Sequence, residues 1–405
     1  MVQVRGFSKD HPPFSERFPY DEPTSVAFDH ATHLNRYFKD PTFSARVPQS
    51  CLACHALEPA RQRLVTTMGF EQSCATCHAA EIGHHDLVLF RLPALTSPID
   101  PAIVQAACGM AVAEPGPKPA EPISEEDPTV ISAFLLGVDT KDPDGYTEPM
   151  KALITAMAQE GVTPLAKALE ERAGSAASIE LLAGLSPETV KQAACAWAAN
   201  QEYEPPEDTA RSGWYADALS LRYAPGSHAD PIARRWIELS LNAPTAAGDA
   251  HAQRHAETLR KGVLARARGV GFCLKCHVVA TQDAPASAER LPAHWTSRGR
   301  QERPYTQFSH GVHVKHLGGE GQSCAACHVV NRETTHGAAW TGGFQPIAKA
   351  RCAECHGAQR GQALASSVRQ DCLLCHTYHV GPGPDQPGTT ALTRHGQPGI
   401  ELSQR

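Results

Sequence analysis

The chain has no run of about eighteen apolar residues, so it offers no transmembrane helix. Its first residues, MVQVRGFSKDHPPF, lack the apolar segment of a secretory signal. It has no excess of positive charge either: the formal net charge is −6, which argues against nucleic acid as a partner. Aromatic residues make up only 6% and hydrophobic residues 41%, a lean supply of core material for 405 residues. Methionine is scarce, with Met68, Met110, Met150 and Met157 alone beyond the start. What the chain has instead is cysteine and histidine, 14 and 21 of them, with 32 prolines and 31 glycines.

Twelve of the fourteen cysteines fall into six C-x-x-C-H pentads. They are Cys51/Cys54/His55, Cys74/Cys77/His78, Cys273/Cys276/His277, Cys324/Cys327/His328, Cys352/Cys355/His356 and Cys372/Cys375/His376. This spacing is the attachment signature of c-type haem. Two intervening residues let a single tight turn present both sulfurs to one edge of the porphyrin. Both thiols form thioethers there, and the histidine that follows projects under the ring centre as the proximal ligand to iron. Zinc makes no demand for a histidine directly after the second cysteine, and disulfides do not repeat one spacing six times. The expected cofactors are therefore six covalently bound haem c groups, whose flat apolar surfaces substitute for missing core.

Residues 1–97 are proline-rich and loop-like and hold pentads one and two. Residues 98–265 carry no pentad; Ala and Leu rise and a 3.6-residue period predicts an α-helical insertion. Ser186 and Asp230, each followed by proline, read as N-caps, and residues 114–128 as an exposed linker. No phosphate loop, nucleophile elbow or zinc-protease helix appears in this block, so docking or spacing service is expected of it. Its Cys108 and Cys195 either pair in an oxidising compartment or stay as two buried thiols. Residues 266–405 hold pentads three to six, and the tail after Pro382 reads as loosely held. The fold class expected is mainly α with much irregular loop.

FDHATHL precedes pentads one, two and, much later, three; FSHGVHV precedes pentads four, five and six. The chain thus reads as two trihaem modules in tandem, the first interrupted by the helical insertion. Phe-x-His-x-x-His upstream of several C-x-x-C-H sites resembles the class III multihaem cytochromes c. The resemblance covers the haem-bearing parts only. It implies bis-histidine irons, with His30 as distal ligand to the site of His55, His33 to that of His78, His310 to that of His328 and His313 to that of His356. His84 or His85 is then expected at the site of His277. His336 is expected at that of His376, in competition with His316 and His379. His228, before a predicted helix, is a further possibility, and His251, His255, His11, His294 and His395 read as ordinary surface or helix residues. Scarce methionine leaves His/Met ligation at one site at most.

Closed, low-spin irons exchange electrons and do not bind substrate. The function expected is electron relay between redox partner proteins, with a basic partner surface steered to the acidic cytochrome and the two clusters within tunnelling reach. Assembly with other cytochromes is compatible with this role. The alternative is a multihaem oxidoreductase acting on a small nitrogen or sulfur compound at one open axial position, for which the site of His277 is the best candidate. Because haem c attachment by the common bacterial machinery takes place outside the cytoplasm, a periplasmic or extracellular location is expected, with a leader or membrane anchor missing from this numbering.

Overall fold

The computed structural model describes residues 6–8, 10–16, 18–20, 26–60, 62–92, 98–113, 130–138, 143–207, 212–243, 250–266, 269–279, 293–295, 305–318, 322–331, 343–357, 368 and 371–377. Helix dominates, strands are few and much of the rest is irregular. No helix among these residues is long and apolar enough to cross a membrane.

The N-terminal part contains α1 (His30–Asn35), a two-strand hairpin of β1 (His55–Leu57) and β2 (Val65–Thr67), α2 (Phe70–Ser73) and α3 (Ala75–Ile82). The middle begins with β3 (Leu87–Arg91) and continues through α4 (Pro101–Cys108), α5 (Val130–Leu136), α6 (Pro143–Glu160), α7 (Thr163–Ala173), α8 (Ser175–Leu181) and α9 (Pro187–Ala198). A hairpin of β4 (Gly213–Asp217) and β5 (Ser220–Ala224) follows, then α10 (Pro231–Leu241) and α11 (Ala250–Val263). The C-terminal part has the two-residue strands β6 (Val278–Val279) and β7 (Ala293–His294), then α12 (His310–His316), α13 (Gln322–Ala325) and α14 (Lys349–His356).

The apolar core sits almost wholly in the middle. Tyr146, Met150, Ile154 and Met157 recur at helical spacing along α6 and are buried against the α9 face of Ala193, Ala194 and Trp197. Phe90 of β3 stacks on Trp197 at 5.4 Å, and Trp197 Nε1 donates to Ala218 O at 2.7 Å. Cys108 and Cys195 form a disulfide that ties α4 to α9 across 87 residues of chain.

Two features differ from the sequence reading. The middle is not purely helical: β3, β5 and β4 form an antiparallel sheet in that order. The Ala218–Leu219 turn carries no Asn-Gly or Asp-Gly signal, so the hairpin is hidden among the helical periods around it. The core also extends past the expected bounds, because Leu87 pairs with Tyr223 and Val270 and Leu274 are buried beside pentad three.

Outside the middle the contrast is strong. Among the described residues, Ala31 is the one buried apolar residue before Leu87, and none follows Leu274. The pentad-bearing parts hold their shape with no apolar core of their own.

Candidate functional site

The two His-x-x-His helices are built alike. The Asp29 carboxylate accepts from the Ala31 and Thr32 amides and starts α1; Ser309 occupies the same position ahead of α12. His33 Nδ1 donates to Asp29 O at 2.8 Å and His313 Nδ1 to Ser309 O at 2.8 Å. Phe28 stacks on His33 at 4.1 Å and meets His30 edge-on at 4.7 Å. Phe308 does the same to His313 and His310, at 4.3 and 4.9 Å.

The pentads themselves do not all adopt the tight turn expected of them. Pentads one, three and six do: Cys51, Cys273 and Cys372 lie in short 3-10 turns, Cys51–Ala53, Gly269–Lys275 and Cys372–Leu374. In pentad four, Cys324 lies in α13, one residue before its end at Ala325, and Cys327 stands on the turn after it. Pentads two and five depart from the expectation. Cys77 lies inside α3, half-buried, and Cys355 lies inside α14, exposed, so both second thiols are carried by α-helix instead of by a turn. Cys77 N donates to Cys74 O at 3.1 Å, and Cys352 stands on α14 with Cys355. A spacing of three residues shares one helix face, so each pair still presents both sulfurs to one side. The pentad spacing is the same in both geometries, which is why sequence could not separate Cys77 and Cys355 from the other four second cysteines.

The two helical pentads, two and five, hold the same place in their halves, and backbone contacts around the other pentads repeat as well. Glu58 N donates to Leu64 O after pentad one, and Asn331 N to Gly343 O after pentad four, both at 3.0 Å. Ala27 N donates to Cys276 O at 2.7 Å, and Gln307 N to Cys375 O at 2.8 Å. Ala27 and Gln307 each stand three residues before the first histidine of their helix. Pentad three therefore occupies in the first half the place of pentad six in the second, although the whole helical middle intervenes in sequence.

The halves dock reciprocally through their hairpins. His310 Nδ1 donates to Arg63 O at 2.6 Å and Gly311 N to Gln62 O at 2.8 Å. A Cβ on Gly311 would lie 2.6 Å from Gln62 Cβ, so the approach requires glycine there. On the other side Asn35 Nδ2 donates to Asn331 O at 2.8 Å, and the Gly343 backbone lies against His30.

The thiols trace a linear order. Burial raises the pKa of Cys276, with Cys74 of pentad two as a neighbour. Burial likewise raises Cys54, with Cys74 next to it, and Cys51, with Cys324 of pentad four next to it. Burial raises Cys352 to about 11, and the adjacent Cys327 and Cys375 add to this. Burial also raises Cys327, with Cys355 of pentad five among its neighbours. By neighbouring thiols the pentads thus run 3–2–1–4–5–6.

Each pentad histidine faces a second imidazole. In the first half the ring centres are 6.0 Å apart for His30 and His55, 6.4 Å for His33 and His78, and 5.8 Å for His228 and His277. In the second they are 6.5 Å apart for His310 and His328, 6.2 Å for His313 and His356, and 5.9 Å for His11 and His376. A transition metal held between two imidazoles at about 2 Å per bond sets the ring centres roughly 6 Å apart.

Ring hydrogen bonds orient four of the six imidazoles that face a pentad histidine. His33, His310, His313 and His11 each aim Nδ1 at a backbone carbonyl. A carbonyl only accepts, so Nδ1 carries the proton and Nε2 keeps its lone pair for a ligand. Burial lowers the pKa of His30 to about 4, with His55 adding to it, and burial also lowers His33, His55 and His228. These rings are neutral at pH 7, the state that ligation requires.

One of the expected partners is replaced, and another lies outside the described residues. His84 is exposed on the turn after α3, and His85 packs on Phe272 at 3.7 Å; neither is the ring facing His277. That ring is His228, stacked on Phe70 at 4.0 Å. Its turn is held by Asp230, which accepts from Tyr223 Oη at 2.8 Å, Gly226 N at 3.2 Å and Ala233 N at 2.9 Å, while capping α10. His336 and its competitor His379 lie outside the described residues, and His316 is exposed at the end of α12. The ring facing His376 is His11, on an N-terminal arm whose His11 O accepts from Lys349 Nζ at 2.6 Å and whose Phe18 O accepts from Ile347 N at 2.9 Å. In both halves the third site draws on a segment outside the repeat, which is why the repeat did not reveal it.

These residues fit haem c. Among the described residues no group of three or more His, Cys, Asp or Glu side chains converges on one metal position. Haem would be held at each site by two facing imidazoles as ligands to its iron and by two thiols as tethers of its ring. Such a group would also supply apolar surface where these parts have almost no buried apolar residues among those described.

No protein-family model matches the chain, no curated protein matches it and no solved structure matches it.

Proposed function

We propose that the chain is an exported hexahaem c-type cytochrome, two tandem class III-like trihaem modules with a helical insertion, that relays electrons between redox partner proteins. The observation that carries this reading is the second imidazole opposite each of the six pentad histidines. Bound haem supplies a one-electron iron couple whose potential follows its axial ligands, burial and hydrogen bonding. The protein's part is to tether each porphyrin by two thiols and fix both axial rings. With both axial positions taken, small-molecule chemistry has no place to start.

The thiol order 3–2–1–4–5–6 supports a single line of sites, its halves joined where Cys51 meets Cys324. The Cys108–Cys195 disulfide supports an oxidising compartment, as covalent haem attachment also does. The helical middle does more than space the two clusters: it carries His228.

The test is a reductive titration of the purified protein alongside turnover assays with small nitrogen and sulfur oxyanions. Uptake of six electrons per chain with no turnover supports the relay. Turnover linked to a high-spin site shifts the assignment to the oxidoreductase reading.

A further inference from the structure

The two central sites, those of His55 and His328, occupy equivalent places in the repeat and meet at the junction of the halves. Their proximal rings are nonetheless held differently. His55 bonds the backbone of Thr66 on the facing strand, one residue from its register partner Thr67. His328 Nδ1 lies 2.6 Å from the hydroxyl of Tyr20, 308 residues away on the N-terminal arm. The arm has no counterpart in the first half. Tyr20 is seated for this contact: its ring stacks on Phe344 at 5.9 Å and 17°. Phe344 in turn touches His30 of one central site and His328 of the other, at 4.5 and 5.8 Å.

We propose that Tyr20 is a positioning residue that sets the reduction potential of the His310/His328 site apart from that of the His30/His55 site. This rests on the hexahaem reading. A ligating Nε2 leaves the proton on Nδ1, so His328 donates to the Tyr20 oxygen. A hydrogen bond donated by a ligating imidazole makes the ring more basic and favours the oxidised metal. A phenolic oxygen is a weaker acceptor than a peptide carbonyl. The fourth site then holds its electron at a higher potential than the first, and the centre of the line is stepped rather than level. The couple is a one-electron change at the metal, and Tyr20 neither gains nor loses a proton in it.

The experiment is Tyr20→Phe in the full-length holoprotein, read by EPR-monitored potentiometry. The ring and its stacking on Phe344 remain, so the fold and all six low-spin signals are expected to persist. One couple of the six is expected to move to higher potential, with altered g values for that signal alone. Six couples coincident with those of the unsubstituted protein would overturn the role of Tyr20 and leave the relay intact. An unsubstituted protein with fewer than six haems, or with a high-spin signal, would instead fail the hexahaem reading and this proposal with it.

Discussion

Replacing His228 by alanine is the sharpest single perturbation, because it separates the geometry from the sequence-based expectation of His84 or His85. The ring loses its stack on Phe70 at 4.0 Å, worth about 0.5–1.5 kcal/mol. That is small against a typical stability of about 5–15 kcal/mol. The turn itself is held by Asp230 through Tyr223, Gly226 and the first turn of α10, so the variant is expected to fold. The consequence is local: the site of His277 loses one axial donor and the other five keep both. In oxidised protein one site in six is expected to turn high-spin. In reduced protein one carbon monoxide per chain is expected to bind, where the unsubstituted protein binds none. His84→Ala and His85→Ala are expected to leave both readouts unchanged. A low-spin spectrum from His228→Ala, or the same conversion in either control, would refute the ligand geometry at this site.

His11→Ala is expected to open the site of His376 in the same spectroscopic sense, and the matching control, His316→Ala, to open none. Asp230→Ala removes a helix cap together with the anchor of the His228 turn. A loss of about 1–2 kcal/mol in a denaturant titration is expected, with partial high-spin character confined to one site. Cys108→Ser with Cys195→Ser releases a bridge spanning 87 residues. The loop-closure relation puts the cost at about 4–5 kcal/mol; thermal unfolding of the helical middle is expected at markedly lower temperature, with the haem count unchanged.

The pentads and the two His-x-x-His helices were legible in the sequence because each is a local spacing of cysteine or histidine. The pairs His30/His55, His33/His78, His310/His328 and His313/His356 were implied by the resemblance to the class III cytochromes, and the folded chain brings the two rings of each pair about 6 Å apart. The backbone carrying each pentad was less legible: Cys77 and Cys355 stand on helices where a turn was expected, because a three-residue step suits either geometry. His228 and His11 were not legible in the same way. Each reaches its partner from a segment with no copy in the other half, and only the folded chain brings Asp230 and Lys349 into play as their anchors. The helical middle announced itself by its period, and its caps at Ser186 and Asp230 form as expected. Its sheet did not, since Leu87–Arg91 pairs with a strand more than a hundred residues later. Whether Cys108 and Cys195 pair was open from sequence; the packing of α4 on α9 decides it, with Cα atoms 5.5 Å apart.

Haem quantitation combined with EPR on the oxidised protein tests the central claim most directly. Two imidazoles at each of six tethered sites predict six haems per polypeptide and low-spin signals throughout. Fewer than six haems, or a high-spin signal in the unsubstituted protein, would contradict it.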